Sequence, residues 1–290
     1  MNTYAVIASN HSHSYQPFAP ITALFWREVV GFKTICFLTG TKEEWDEPAA
    51  SLVRRKLDEA GALIHHIGKL EGYQDAQAAQ SSRQHAAALD LPLDDVLLTG
   101  DIDMWSLDRD WFRQHDPAKW DFTSWYANAY GPLAPTPPFH PTPYVAATVA
   151  KWREVMQLEC RGEILTQMQA NFDRTLTPDA STWTSWWHDE LYFNSKLKAW
   201  DGYPGRVQMI CREGQPPHDR IDRCAWPEWR GNEYAFNWSH KWVDTHLIRP
   251  GVTKENWPRI RPLVEHYIPK HLAWVDEYVK LYQKEKYNGV

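Results

Sequence analysis

Asp95-Val96-Leu97-Leu98-Thr99-Gly100-Asp101-Ile102-Asp103-Met104-Trp105 couples a short apolar run to two carboxylates two residues apart. Val96 to Thr99 reads as a buried strand. On an extended backbone, side chains at i and i+2 point the same way, so Asp101 and Asp103 can face one ion or one phosphate-bound metal together. Negative charges set beside a core require a counter-charge. A solvated turn after a strand accounts for the same Gly and Asp residues, and what lies on either side decides between the two.

Upstream, strands and helices alternate. Tyr4 to Ala8 forms a first apolar strand, with Ser9-Asn10-His11-Ser12-His13-Ser14 as the polar loop beyond it. A helix is expected over Ile21–Val30, stopped by Gly31, and a second strand over Lys33–Thr39. Pro48 opens a helix striped by Leu52, Val53 and Leu57 and followed by Gly61; Ala62–Ile67 is a third strand and Asp75–Leu89 a helix by propensity. This order predicts an α/β domain with a mainly parallel central sheet covered by helices on both faces. In such sheets ligands meet the loops beyond the carboxyl ends of the strands, where Ser9-Asn10-His11 and Asp101-Ile102-Asp103 both fall. No Gly-x-Gly-x-x-Gly follows the first strand and no P-loop motif occurs.

The order of elements and the placement of Asp101-Ile102-Asp103, after Val96-Leu97-Leu98 and before Met104-Trp105, resemble the GT-A fold of nucleotide-sugar glycosyltransferases. The resemblance runs over roughly residues 4 to 250. It implies a single Rossmann-related catalytic domain over 1–250, with a nucleotide-sugar half to about residue 110 and an acceptor side over 111–250. Residues 251–290 are expected as a helical extension, since Leu272, Val275, Val279 and Tyr282 make an apolar stripe that packs on the domain.

By the same resemblance, Asp101 and Asp103 hold a divalent cation, Mn2+ or Mg2+, on the donor diphosphate, and Ile102 sits between them at the nucleotide sugar. Ser9, Asn10 and His11 take the base and ribose, and Arg83 reaches the diphosphate. In Asn237-Trp238-Ser239-His240-Lys241-Trp242-Val243-Asp244-Thr245-His246-Leu247-Ile248-Arg249-Pro250, His246 completes the metal shell, with His240 as the alternative, and Lys241 or Arg249 contacts phosphate. In Trp186-Trp187-His188-Asp189-Glu190 an acidic pair stands beside the acceptor. Asp189 is the first candidate for the base of an inverting transfer and Glu190 the second. Asp179 or Ser181 is expected to start their helix.

After the aspartates, Trp120–Tyr126 and Tyr144–Val149 read as strands, Pro132–Pro143 as a loop, and Lys151–Glu159 as a helix. Arg220–Pro227 is a polar, turn-rich segment at the acceptor opening or across the surface. Tryptophan is abundant, with 17 copies. Several stand among polar residues: Trp105, Trp125, Trp183, Trp186, Trp187, Trp226, Trp229 and Trp238. An indole suits a core and equally the apolar face of a sugar. Trp105, Trp125, Trp186 and Trp187, with His188, are the acceptor-binding candidates.

Composition narrows the classes. With 31 basic and 37 acidic side chains the net charge is −6, and no basic stripe speaks for nucleic acid. No run approaches a membrane span, no signal peptide is recognisable at the N-terminus, and the four cysteines are widely separated, which together favour a cytoplasmic protein with reduced thiols. The expected activity is metal-dependent transfer of a sugar from a nucleotide diphosphate, a uridine diphosphate sugar on family frequency, to a carbohydrate acceptor. A nucleotidyltransferase or phosphohydrolase using the same aspartates, and a noncatalytic carbohydrate-binding protein, are the alternatives.

Overall fold

The computed structural model describes residues 1–130, 138–161, 163–171, 187–212, 218–226, 229–230, 233–234 and 236–287. Its main sheet has seven strands in the order β3-β2-β1-β4-β7-β6-β8. These are β1 Thr3–Ser9, β2 Lys33–Leu38, β3 Leu63–His66, β4 Val96–Thr99, β6 Phe122–Trp125, β7 Val145–Thr148 and β8 Val207–Ile210. Only β7 runs against its neighbours; the pairings β1–β2, β2–β3, β1–β4 and β6–β8 are parallel. A three-stranded sheet, β5 Met104–Ser106, β12 Asp244–His246 and β9 Arg220–Ile221, stands beside it, and β10 Trp229–Arg230 pairs with β11 Glu233–Tyr234. The expected α/β domain with a mainly parallel, helix-covered sheet is what forms.

Alternation along each strand divides the interior into two cores. Ala5 and Ile7 of β1, Cys36 and Leu38 of β2 and Val96 and Leu98 of β4 face one side. Tyr4, Val6, Ala8, Ile35, Phe37 and Leu97 face the other. Both sets are apolar because both faces are covered, which is why these strands read as unbroken hydrophobic runs.

Among the described residues the helices, in chain order, are α1 Ala19–Phe25, α2 Lys42–Asp46, α3 Pro48–Glu59, α4 Asp75–Ser82, α5 Arg109–Phe112, α6 Val149–Met156, α7 Ile164–Asn171, α8 His188–Ala199, α9 Trp257–Tyr267 and α10 Leu272–Tyr287. The first core takes α1, α3, α9 and α10; the second takes α4, α6, α7 and α8. Val275, Val279 and Tyr282 of α10 are buried as their spacing required, and the Tyr278 hydroxyl donates to the carbonyl of Pro17 at 2.9 Å. Among the described residues no helix is long and apolar enough to cross a membrane.

Several boundaries differ from expectation. The helix expected over Ile21–Val30 begins at Ala19 and passes into a π-helical turn over Trp26–Val30, ended by Gly31 at φ 83°. Asp75–Leu89 is helical only to Ser82, then tightens into a 3-10 turn over Arg83–Ala88, at the residue whose side chain turns toward the aspartates described below. The helix expected from Lys151 begins two residues earlier, where the Thr148 hydroxyl accepts the Lys151 amide at 3.3 Å. Asp179 and Ser181, expected to start the helix of Asp189, lie outside the described residues, as do residues 132–137 of the proline-rich loop.

Gly251 packs where a side chain has no room, since a β-carbon there would lie 2.0 Å from the Phe18 ring and 3.0 Å from Ile260. Gly251→Ala therefore overpacks the joint between α9 and the N-terminal half, and its unfolding free energy in urea should fall by about 1–3 kcal/mol. An unchanged midpoint would show that the joint yields freely.

Candidate active site

The sheet reverses direction of growth between β1 and β4: β2 and β3 extend to one side of β1, β4 and its successors to the other. The crevice above the carboxyl ends at such a point is where open α/β sheets bind ligands. A cleft of about 880 Å³ opens there, bordered by Ser9 and Asn10 after β1, Arg83, the turn from Asp101 to Met104, Asp189 and Glu190 on α8, and Arg223, His246 and Arg249.

Asp101 and Asp103 both line this cleft, but not as an extended pair. The Met104 amide donates to the Asp101 carbonyl at 3.3 Å, closing a turn between β4 and β5. The two side chains therefore take different partners. Asp101 accepts from Arg83 Nη1. Asp103, buried to 4% exposure, faces three cationic groups through Oδ2: Arg249 Nε at 3.2 Å, His246 Nε2 at 3.4 Å and Arg223 Nη1 at 3.6 Å.

Strand pairing brings His246 to Asp103. Antiparallel β5–β12 register sets His246 opposite Met104, and the Leu247 amide donates to the Asp103 carbonyl at 2.9 Å. The other imidazole nitrogen, Nδ1, faces Asp222 Oδ2 at 3.5 Å. Burial opposes the charged imidazole, but Asp103 and Asp222 outweigh it and hold its pKa up at about 9. A histidine with one nitrogen toward a carboxylate and the other toward a second carboxylate in a cleft is arranged as metal-binding histidines are, once a cation replaces the proton between Nε2 and Asp103. Asp103 and His246 stand together, whereas Asp101 is held by Arg83; among the described residues the three His, Glu and Asp side chains whose ligand atoms converge within 4.8 Å are His11, Glu44 and Asp75.

Arg83 is not an open phosphate contact. Its guanidinium, 4% exposed, donates to Asp101, to Asp189 Oδ2 at 3.0 Å and through Nε to the Gln80 carbonyl at 3.1 Å. It is the counter-charge for two carboxylates brought from β4 and α8.

The acidic pair on α8 is fully enclosed and unequal. Asp189 Oδ2 also accepts from Thr142 Oγ1 at 2.6 Å. Glu190 accepts from the Tyr130 hydroxyl at 2.8 and 3.0 Å and from the Thr142 amide at 3.3 Å. Burial raises both, and the charge of Asp189 adds to the effect on Glu190, whose pKa is pushed up to about 8; Arg83 and Thr142 oppose the rise at Asp189. Both carboxyls are thus held above their ordinary range, and Glu190, which has no cation against it, feels the charge of its neighbour as well.

Other expected residues are placed elsewhere. Trp105 is wholly buried, stacked on Phe25 at 4.4 Å with its N–H on Thr22, and offers no face to a ligand. His188 is core as well, beside Tyr73 and Tyr192, with Nδ1 3.5 Å from Ser81 Oγ. Trp125 touches the cleft wall, but its buried N–H donates to the Trp111 carbonyl at 3.1 Å. Trp187 does line the cleft, against Tyr130 and Phe139; Trp186 lies outside the described residues. Lys241 is an exposed partner of Asp108 at 2.8 Å and does not border the cleft, so Arg249 is the basic side chain of that segment that does. His11 is likewise not on the wall; its ring faces Glu44 and Asp75. Ile102 borders the cleft and its carbonyl accepts from Thr22 Oγ1 at 2.6 Å.

Sequence reading missed Tyr130, Thr142, Asp222 and Asp244. Asp244 is wholly buried and takes Arg220 in a two-pronged ion pair at 2.9 and 2.6 Å, which anchors one wall. None carries a local motif; each is recognised only by what the fold brings opposite it.

No protein-family model matches this chain, and no curated protein sequence matches it. Among solved structures, the galactosyltransferase LgtC in complex with donor and acceptor sugar analogs is similar at a TM-score of 0.48 and 11% identity, over 96% of this chain and 95% of that one. The bifunctional glycosyltransferase WbbM is similar at 0.48 and 10% identity; this chain spans about half its length, with 97% of its own residues covered. The glycosyltransferase GlyE of Streptococcus pneumoniae TIGR4 is similar at 0.43 and 14% identity, over 72% of this chain and 45% of that one. The side chains of the cleft, not these likenesses, carry the functional reading.

Two outcomes follow from the cleft. Arg83→Met leaves the buried Asp189 and the partly exposed Asp101 without their cation and should cost about 3–5 kcal/mol in urea unfolding, with Asp189→Asn in the same chain recovering part of it. Additive losses would mean that the ion pair is not formed. Glu190, with its folded pKa raised above the unfolded value, contributes stability that is complete below pH about 4.5 and lost as pH rises through about 8. Glu190→Gln should therefore gain on the wild type between pH 5 and pH 9 in thermal unfolding, and a constant difference across that range would contradict the raised pKa.

Proposed function

We propose that the protein transfers a sugar from a nucleotide diphosphate to a carbohydrate hydroxyl with the help of a divalent cation. The observation that carries this reading is one cleft with two chemically distinct ends. At one end Asp103, His246, Arg223 and Arg249 gather around the Asp101 turn; at the other, Asp189 and Glu190 stand enclosed with Arg83 between the ends.

Asp101, Asp103 and His246 would hold the cation, Mn2+ fitting a set of carboxylates and imidazole better than Mg2+. Bound there, it offsets the charge that grows on the departing diphosphate. Arg249 and Arg223 border the same volume and supply guanidinium donors suited to phosphate oxygens. Ser9 and Asn10, at the carboxyl end of β1, border the nucleoside end, and uridine diphosphate is the first donor nucleotide to try.

Arg83 and Thr142 donate to Asp189 and oppose the rise that burial imposes on it, whereas Glu190 takes neutral donors and is pushed up to about 8. In this reading Asp189 receives the proton of the attacking acceptor hydroxyl, and Trp187 and Tyr130 offer aromatic surface to the acceptor ring. Hydrolysis of the donor by water is the same displacement with a smaller acceptor.

Asp103→Asn should lose Mn2+-dependent uridine diphosphate binding in calorimetric titration, by roughly 10–100-fold, while retaining the wild-type circular dichroism spectrum. Unchanged Mn2+-dependent affinity would remove Asp103 from the site. With a turned-over donor in hand, Asp189→Asn should keep donor affinity and lose about 10²–10⁴-fold in transfer rate, and NMR of the product should show an inverted anomeric centre. Retention of configuration would take the base role away from Asp189.

A further inference from the structure

A convergence of ligand atoms lies outside the cleft. His11, from the loop after β1, meets Glu44 on α2 and Asp75 at the start of α4, with one ligand atom of each within 4.8 Å of the others. His11 Nδ1 is 3.8 Å from Glu44 Oε2 and 3.9 Å from Asp75 Oδ2. These separations are too long for hydrogen bonds, and Nδ1 is shielded from solvent with no hydrogen-bond partner in the structure. Two ligands on one tetrahedral cation with bonds of about 2.1 Å stand about 3.4 Å apart, so the imidazole and each carboxylate need close by only a few tenths of an ångström to share an ion, with the two carboxylates themselves inside 4.8 Å of each other.

We propose that His11, Glu44 and Asp75 form a divalent transition-metal site, separate from the transfer centre, that ties together the loops beyond β1, β2 and β3. One imidazole and two carboxylates suit Zn2+, with water completing the shell. The present occupant of the charge is Lys69, whose Nζ is 2.7 Å from Glu44 Oε1 and 3.9 Å from Asp75 Oδ2. Lys69 is largely exposed and contacts the other oxygen of Glu44, so it can swing into water as the cation enters. Ser9 and Asn10 precede His11, and Ala76 follows Asp75, on the wall of the cleft. An ion here would therefore stiffen the nucleoside end without touching the reacting atoms.

The site does not rest on the transfer reading, and its test is made in Asp103→Asn, where the cleft no longer offers its own carboxylate. Glu44 is left intact because its side chain also accepts the Thr41 amide at 2.7 Å and starts α2. Equilibrium dialysis of the full chain against Zn2+, with metal analysis, should find one bound ion in Asp103→Asn. Adding His11→Ala or Asp75→Asn should weaken it at least tenfold without altering the circular dichroism spectrum. Adding Lys69→Met, which removes the competing ammonium, should tighten it about tenfold. Zn2+ binding that His11→Ala and Asp75→Asn leave unchanged overturns the proposal, as does the absence of binding in both Asp103→Asn and its Lys69→Met derivative.

Discussion

The guanidinium of Arg83 is the point on which the cleft depends. It is enclosed, and its donors go to Asp101 after β4, to Asp189 on α8 and to the Gln80 carbonyl of α4. Asp189 is buried with it, and removing either member of such a pair leaves an uncompensated charge in the interior. Arginine serves where lysine would not, because a planar fork can meet two carboxylates at once while remaining charged. The break of α4 into a tighter turn at Arg83 sets the origin of that fork between the sheet edge and α8.

Once Arg83 has claimed Asp101 and Asp189, the remaining charges sort themselves. Asp103 turns to His246, Arg223 and Arg249, which β12 and its flanks deliver by pairing with β5. Glu190 is left with neutral donors, Tyr130 and the Thr142 amide, and its pKa is pushed up to about 8. One end of the cleft is thus rich in cationic side chains suited to phosphate, and the other presents a buried acidic pair. That division is what a displacement at a sugar carbon with an anionic leaving group needs.

Much of the architecture was legible in the chain because strands covered on both faces must be apolar throughout. Val96 to Thr99 and Tyr4 to Ala8 announce themselves, and the residues that follow them fall by topology on the ligand edge. Asp101, Asp103, His246, Asp189, Glu190 and Arg249 were legible as chemistry-bearing types in informative contexts, and the fold brings all six to one cleft. What the sequence concealed was partnership. Thr142 sits in a proline-rich run and Tyr130 just before it, with no periodicity to mark either as a donor to the acidic pair. Asp222 and Asp244 gain meaning only from β9–β12 pairing, a contact across more than twenty residues. Trp105 misled for the opposite reason: polar neighbours in sequence placed it near a ligand, while Phe25 and Thr22, distant in sequence, enclose it.

The account stands or falls on whether the Asp103 end of the cleft holds a cation and a diphosphate together. A crystal structure of the protein with Mn2+ and uridine diphosphate, recorded at the manganese absorption edge, measures this directly. The account predicts an anomalous peak between the carboxylates of Asp101 and Asp103 and Nε2 of His246, with the diphosphate against it and the guanidinium of Arg249 on a phosphate oxygen. Nucleotide bound elsewhere on the molecule, or bound in the cleft with manganese absent from Asp103 and His246, would contradict it.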